Sequence, residues 1–233
     1  CVSDSLRTRI AATPGVVSDR VQRIYNGIDT DKFAPRRTLA WRQRLGVSPD
    51  ECLIGAVGNV RPAKAYDVLV RAIGVAARRG RRFRVVVAGD DAEHGVSTLL
   101  DLAESLGVRE CISFVGFVDR PAEFLNGLDV LVLSSHTEGF SLAVAQAQSV
   151  GLPVVATRCG GPEEIIEDEH SGVLVPVNSP AELADGMERV VTNAELRRTM
   201  SGAARRRMLR LFSLVTMVDE YSTLYRRFME DAK

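Results

Sequence analysis

Six short apolar runs constrain this chain more than any other feature: residues 53–57, 85–88, 112–115, 130–133, 154–156 and 173–175. They are rich in Val, Ile and Leu and apolar on both faces, the pattern of strands covered by helices on both sides. Helical patterns separate them, at 66–78, 96–106, 122–127, 142–150 and 162–167. In the first of these, Asp67, Leu69, Val70, Ile73 and Ala77 repeat at the helical period with one polar member. Strands that alternate with helices require right-handed crossovers, and hence a parallel sheet. The expected fold is an α/β, doubly wound, Rossmann-like domain over residues 51–210, its sheet confined to 51–202.

The flanks carry no such alternation. Residues 2–12 read as a helix capped by Ser3 or Asp4, and 21–25 as a short strand ending in the turn pair Asn26-Gly27. Residues 29–50 are polar, with a short helix over 39–45, and have the character of a connection between domains. After the sheet come three helical stretches without strands, at 181–191, 195–211 and 214–228. The chain opens at Cys1, without methionine and directly into a helix, as a piece of a longer protein would. Its helix-rich tail is expected to pack against the rest of that protein.

Composition narrows the function classes. With 45% hydrophobic and 26% charged residues, the 233-residue chain has the makeup of an ordinary folded domain. No run approaches the ~18 apolar residues of a spanning helix, and the opening lacks the pattern of a signal peptide. Thirty basic residues balance thirty acidic ones, so no global field draws the chain to nucleic acid or anionic lipid. Cys1, Cys52, Cys111 and Cys159 lie too far apart for a metal motif and read as reduced residues of a cytosolic protein. Among the basic residues only Lys32, Lys64 and Lys233 are lysine, which makes a lysine inside a glycine-bearing loop conspicuous.

In an open parallel sheet, ligands bind beyond the carboxyl ends of the strands. The residues that carry chemistry collect there. The first strand is followed by Gly58-Asn59-Val60-Arg61-Pro62-Ala63-Lys64, the third by Gly116-Phe117-Val118-Asp119. The fourth leads into Ser134-Ser135-His136-Thr137-Glu138-Gly139-Phe140-Ser141 and the fifth into Arg158-Cys159-Gly160-Gly161-Pro162. A basic pair, glycine turns in neighbouring loops and a helix opening at Ser141 together make an anion cradle.

Several segments, in order along the chain, resemble the family 4 retaining glycosyltransferases of the GT-B fold. The resemblance rests on Glu138-Gly139-Phe140-Ser141-Leu142, on Gly151-Leu152-Pro153-Val154-Val155-Ala156-Thr157 and on Gly160-Gly161-Pro162-Glu163-Glu164-Ile165-Ile166. Tyr25-Asn26-Gly27-Ile28-Asp29, with Phe33, resembles that family's interdomain linker, and Ser171-Gly172-Val173-Leu174-Val175 also fits. Residues 58–64 resemble its first phosphate loop, and Phe114-Val115-Gly116 its base-binding turn. The family has two Rossmann-like domains, and this chain is expected to be the second. Residues 1–25 would be a remnant of the first, 26–50 the linker, 51–210 the donor-binding domain and 211–233 a helix crossing back. The resemblance implies hexosyl-type transfer from a nucleoside-diphosphate sugar to an acceptor glycan, lipid or small molecule, with retention and without metal or other cofactor. It implies a cytoplasmic protein, with contact to a membrane surface left to the full-length form, and a fragment that alone transfers nothing.

Residue by residue, the resemblance gives Arg61 and Lys64 to the donor diphosphate and makes them, with Glu138, the catalytic set. Gly58 and Asn59 share their loop; the family often has arginine at position 59 and usually glycine at position 65, where this chain has Ala65. Val115, Gly116 and Phe117 would meet the base. Glu138 would accept hydrogen bonds from the sugar, and the amides of Gly139, Phe140, Ser141 and Leu142 would face the phosphates. The family's second glutamate, which holds the ribose, falls at Gln146, an amide that bonds a diol without charge. Two alternatives stay open, a nucleotide-sugar epimerase of related fold and a non-catalytic nucleotide-binding module.

Three other patterns read as ordinary surface. Asp29-Thr30-Asp31 spells a metal motif of a different glycosyltransferase fold but sits in the linker segment. His136, two residues before Glu138, suggests a catalytic base, but like His94 and His170 it is a lone loop histidine of the kind found mostly at the surface. Arg78-Arg79-Gly80-Arg81-Arg82 falls at a helix end, where cations stabilise the carboxyl terminus. No metal site is expected.

Overall fold

The six runs are strands in the computed structural model of the chain, which describes residues 1–48, 50–91 and 93–231. They are β1 (Leu53–Val57), β2 (Arg84–Ala88), β3 (Ile112–Phe114), β4 (Val130–Leu133), β5 (Val154–Thr157) and β6 (Gly172–Val175). All pair in parallel, in the order β3-β2-β1-β4-β5-β6. The chain therefore builds outward from β1 to β3, returns to the centre at β4, and builds outward again to β6. The reversal leaves a crevice beyond the carboxyl ends of β1 and β4, the place where such sheets bind ligands.

The helices are α1 (Asp4–Ala11), α2 (Ala40–Arg44), α3 (Tyr66–Arg78), α4 (Val96–Ser105) and α5 (Pro121–Asn126), then α6 (Leu142–Ser149), α7 (Gly161–Ile165), α8 (Pro180–Thr192), α9 (Ala194–Leu211) and α10 (Leu214–Asp231). The strands alternate between two cores. Val85, Val87, Val130 and Val132 pack with residues of α3, α4 and α8. Val86, Ala88, Leu131 and Leu133 pack on the opposite face with residues of α5, α6 and α9. Side chains on a strand alternate faces, so apolar layers on both sides demand continuous apolar runs. Helix α3 is buried over most of its circumference, and Asp67, counted above in its apolar repeat, is exposed. A helix enclosed by sheet and neighbouring helices leaves only its outer edge for a charge.

Residues 21–25 are not a strand. They are extended, and Ile24 N–H donates to Cys1 O at 2.9 Å, but they join no ladder of the sheet. Alternation predicts an extended segment; a strand also needs a partner. Tyr25 instead packs its ring 4.9 Å from that of Phe212. Helix α1 is capped by Ser3, which accepts from Leu6 N–H, and docks on the domain through Glu164, which accepts from the amides of Asp4 and Ser5.

The polar connection is clamped to the sheet domain. Phe33 and Val47 are buried, and Arg42, 2% exposed, holds Asp129 at 2.6 Å. Arg205 of α9 donates to the carbonyls of Thr30, Phe33 and Ser149. Where α9 meets α10, Ile28 N–H donates to Phe212 O and Leu214 N–H to Ile28 O. In the arginine run, Arg79 pairs with Asp185 and Arg81 with Glu188, so two of its cations join α3 to α8. Among the described residues no helix is long and apolar enough to cross a membrane.

Candidate functional site

The crevice is built from the loop after β1 upward. At Gly58 the backbone takes φ +152, and a Cβ there would come within 2.7 Å of Lys64 Cε. Glycine thus lets the lysine stem lie against the backbone. A short 3₁₀ turn, Pro62–Lys64, ends at Ala65, whose φ of 48 is left-handed. That conformation costs a residue with a Cβ about 1–2 kcal/mol, which gives a physical reason for the glycine expected here by resemblance. Tyr66 O–H donates to Gly58 O at 2.8 Å and braces the loop from within. Burial, reinforced by the charge of Glu138, raises the pKa of this hydroxyl and keeps it a donor.

The loop after β4 closes on the first. Ser134 Oγ donates to Lys64 O at 2.8 Å, and His136 N–H to Ala63 O at 2.9 Å. Lys64 Nζ then reaches Glu138 Oε1 at 2.7 Å, with the two side chains 23% and 14% exposed. Ser135 Oγ donates to the same oxygen at 2.8 Å, and Thr157 Oγ1 donates to Ser135 O at 2.6 Å. Among the described residues Glu138 Oε2 has no hydrogen bond, so it is open to a further donor. Glu138 N–H donates to Cys159 O and Glu138 O accepts from Gly161 N–H, zipping the β4 loop to the β5 loop. Burial pushes the nearby Cys159 thiol up to about 11, so it stands neutral beside the charged pair.

Helix α6 opens at the same place. Among the described residues its cap, Ser141, makes no side-chain capping bond, and its buried Oγ has no partner. The first amides of α6 thus remain without a capping side chain, as an anion site requires. Leu142, Ala143 and Gln146 are the only residues of α6 that are not buried, and they form one stripe at helical spacing. Side chains lean toward a helix amino terminus, so Gln146 is directed along this stripe toward the crevice. The Phe140 ring instead turns into the core against Tyr25 and Phe212, leaving its backbone to the site.

Other candidates lie further out. Arg61 Nε is 3.9 Å from Glu93, both side chains exposed, in a shallow groove shared with Val60 and Pro62. Asn59 Oδ1 accepts from Asp90 N–H, tying the β1 loop to the β2 loop. Val115 N–H donates to Val87 O and Gly89 N–H to Gly116 O, which sets the turn after β3 beside that after β2. Phe117 stands 77% exposed at its tip. Asp29 Oδ1 accepts from the amides of Asp31 and Lys32 and shapes a turn. His136 is exposed. Ser135, Thr157 and Tyr66 carried no role in the sequence, although hydroxyls at the ends of β4 and β5 were a signal available to notice.

These features have relatives. The family described as Glycosyl transferases group 1 matches residues 38–207. The D-inositol 3-phosphate glycosyltransferase of Saccharomonospora viridis is 36% identical over 221 residues, which cover 91% of this chain and 51% of the relative. The chain thus spans about half the length of the curated relatives it matches. The C-terminal domain of a glycosyl transferase group 1 family protein from Francisella tularensis superposes with a TM-score of 0.71 at 25% identity, over 81% of this chain and 100% of that one. The Anabaena protein HepE, solved in complex with UDP-glucose, shares the fold with a TM-score of 0.84 at 22% identity, over 91% of this chain and 59% of that one. The family match takes in the whole sheet, its crossovers and both members of the Lys64–Glu138 pair: the chain belongs to the group 1 glycosyl transferases and carries their C-terminal, GT-B type domain.

Proposed function

We propose that this domain binds the donor of a retaining, family 4 type glycosyltransferase, and that the donor is a nucleoside-diphosphate sugar. The observation that carries the reading is the Lys64–Glu138 pair, set across the switch point between a glycine loop and a helix start. Lys64 and the α6 amides neutralise the diphosphate as it departs, which is electrostatic stabilisation of a leaving group. Glu138, through its free Oε2, accepts a sugar hydroxyl. Gln146 bonds the ribose, and the base sits by the Val115-Gly116 turn with Phe117 beside it. Arg61 joins the diphosphate by leaving Glu93, an exposed contact of small value. Positive charge from the chain takes the place of a metal ion. The UDP-glucose held by the Anabaena relative supports a nucleotide sugar.

The other wall of the cleft belongs to the portion of the relatives that this chain does not span. In support, α10 leaves Val215, Val218, Tyr225, Phe228 and Met229 exposed, an apolar side that a second domain would cover. Transfer requires donor and acceptor aligned in one cleft, so the 233-residue chain alone binds donor and transfers no sugar.

Calorimetric titration with UDP, GDP and ADP tests the site. One of them binds with EDTA present, and Lys64→Ala weakens it roughly ten- to a hundredfold, the loss of a charge-assisted hydrogen bond. Unchanged affinity in that variant, or strict dependence on magnesium or manganese, would overturn the reading.

A further inference from the structure

On the amino-terminal side of the sheet, opposite the nucleotide loops, lies a cavity of about 630 Å³. It is formed by the segment before α2, the turns that lead into β4 and β5, and the first turns of α9. Among the described residues four arginines line it, Arg36, Arg37, Arg197 and Arg198, against one carboxylate, Asp129. In a chain of zero net charge this is a marked local excess of positive charge.

The carboxylate is already satisfied. Asp129 Oδ1 accepts from Arg37, while Oδ2 accepts from Arg42 at 2.6 Å and from Leu53 N–H at 2.8 Å. Arg197 is anchored through Nη1 to the carbonyls of Val190 and Val191 at the end of α8. The side chains of Arg36 and Arg198 make no hydrogen bond or ion pair among the described residues. Unpaired guanidinium forks at one cavity can bridge a single anion, and their fork geometry suits phosphate oxygens. The remaining wall is largely apolar, with Pro35, Leu128, Val150, Leu152 and Pro153, and Ser201 adds a hydroxyl. Volume and lining are those of a small-molecule pocket.

We infer that this cavity is a second binding site, separate from the nucleotide loops, for a small organic phosphate with an apolar body. The arginines take the phosphate, and the proline and leucine surfaces take the body. No residue of the cavity belongs to the donor site, so the inference stands independently of the donor reading.

The test is calorimetric titration of the 233-residue chain carrying Lys64→Ala, which weakens the diphosphate loop, with phenyl phosphate as probe. Saturable one-to-one binding is expected, with inorganic phosphate at least fivefold weaker and benzyl alcohol not bound. Adding Arg36→Glu and Arg198→Glu should weaken phenyl phosphate at least tenfold. Both side chains are exposed and unpaired, so the melting temperature of the free protein should hold. Absence of saturable binding, or equal affinity in the doubly reversed variant, would sink the inference. Binding seen only while Lys64 is intact would place the phosphate at the nucleotide loops and reject the second site. Inorganic phosphate binding as tightly as the ester would reject the apolar component.

Discussion

Lys64 and Glu138 act on each other before they act on a ligand. Their 2.7 Å contact is largely withdrawn from water, and removing one partner leaves the other charge uncompensated. Lys64→Ala therefore also exposes a diphosphate to an unpaired carboxylate, which is why its expected effect lies at the large end for a single contact. Gln146 poses the opposite question, since it is neutral where the resembled family carries glutamate. Gln146→Glu is expected to tighten nucleoside diphosphate binding about tenfold, since charge-assisted bonds to the ribose are about twice as strong as neutral ones. Titration with a 2′,3′-dideoxy nucleotide checks the cause. The gain should vanish there, and an equal gain for both nucleotides would refute the ribose assignment. Lys64, Glu138 and Gln146 stand out as candidates in the sequence because the resemblance places them at fixed motif positions. Ser135 is less legible: a hydroxyl at the end of β4 is a local signal, but only the fold sets it against Glu138.

At the scale of elements, the site depends on one loop holding another. The β4 loop keeps Glu138 in place by hydrogen bonding across to the β5 loop, and Gly160 is where the two backbones touch. Its φ is +112, and a Cβ would come within 2.7 Å of Glu138 O. Gly160→Ala should cost about 1–3 kcal/mol from the strained backbone, with more from the contact, and should weaken nucleotide binding by moving Glu138. Gly139 meets nothing within 4 Å at its would-be Cβ, so Gly139→Ala should change stability little. Urea unfolding of both variants decides, and equal midpoints would show that the loop contact does not matter. Strand and helix boundaries were legible to within three residues because burial on both faces writes itself into apolar runs. Residues 21–25 depart from the strand expected of them because alternation reports an extended backbone and says nothing about a neighbouring strand.

For the whole molecule, the buried Cys111 and Cys159 and the half-buried Cys52 predict an alkaline limit. Burial pushes Cys52 and Cys159 up to about 11 from 9.0, and raises Cys111 as well. Between those values the folded chain keeps protons that the unfolded chain releases, so stability falls as pH rises. The contribution of Cys52 and Cys159 is complete below pH 9.0 and lost by about 11. The urea midpoint should accordingly drop across that window, and the paired Cys52→Ala and Cys159→Ala variant should show a shallower slope. An identical slope would mean that other groups control alkaline unfolding.

The sequence by itself determined the layered α/β architecture and the two charged residues at its centre. Apolar periodicity is a local record of burial, and a motif is a local record of chemistry. It also carried the break at Gln146. The tertiary structure decided what depends on distance between segments far apart in the chain. It alone put Lys64 and Glu138 in one ion pair, turned Phe140 into the core and set Arg61 beside Glu93. It also gathered Arg36, Arg37, Arg197 and Arg198 around one cavity at the other end of the sheet. Residues separated by up to 162 positions share no local pattern, and only the winding of the strands brings them together.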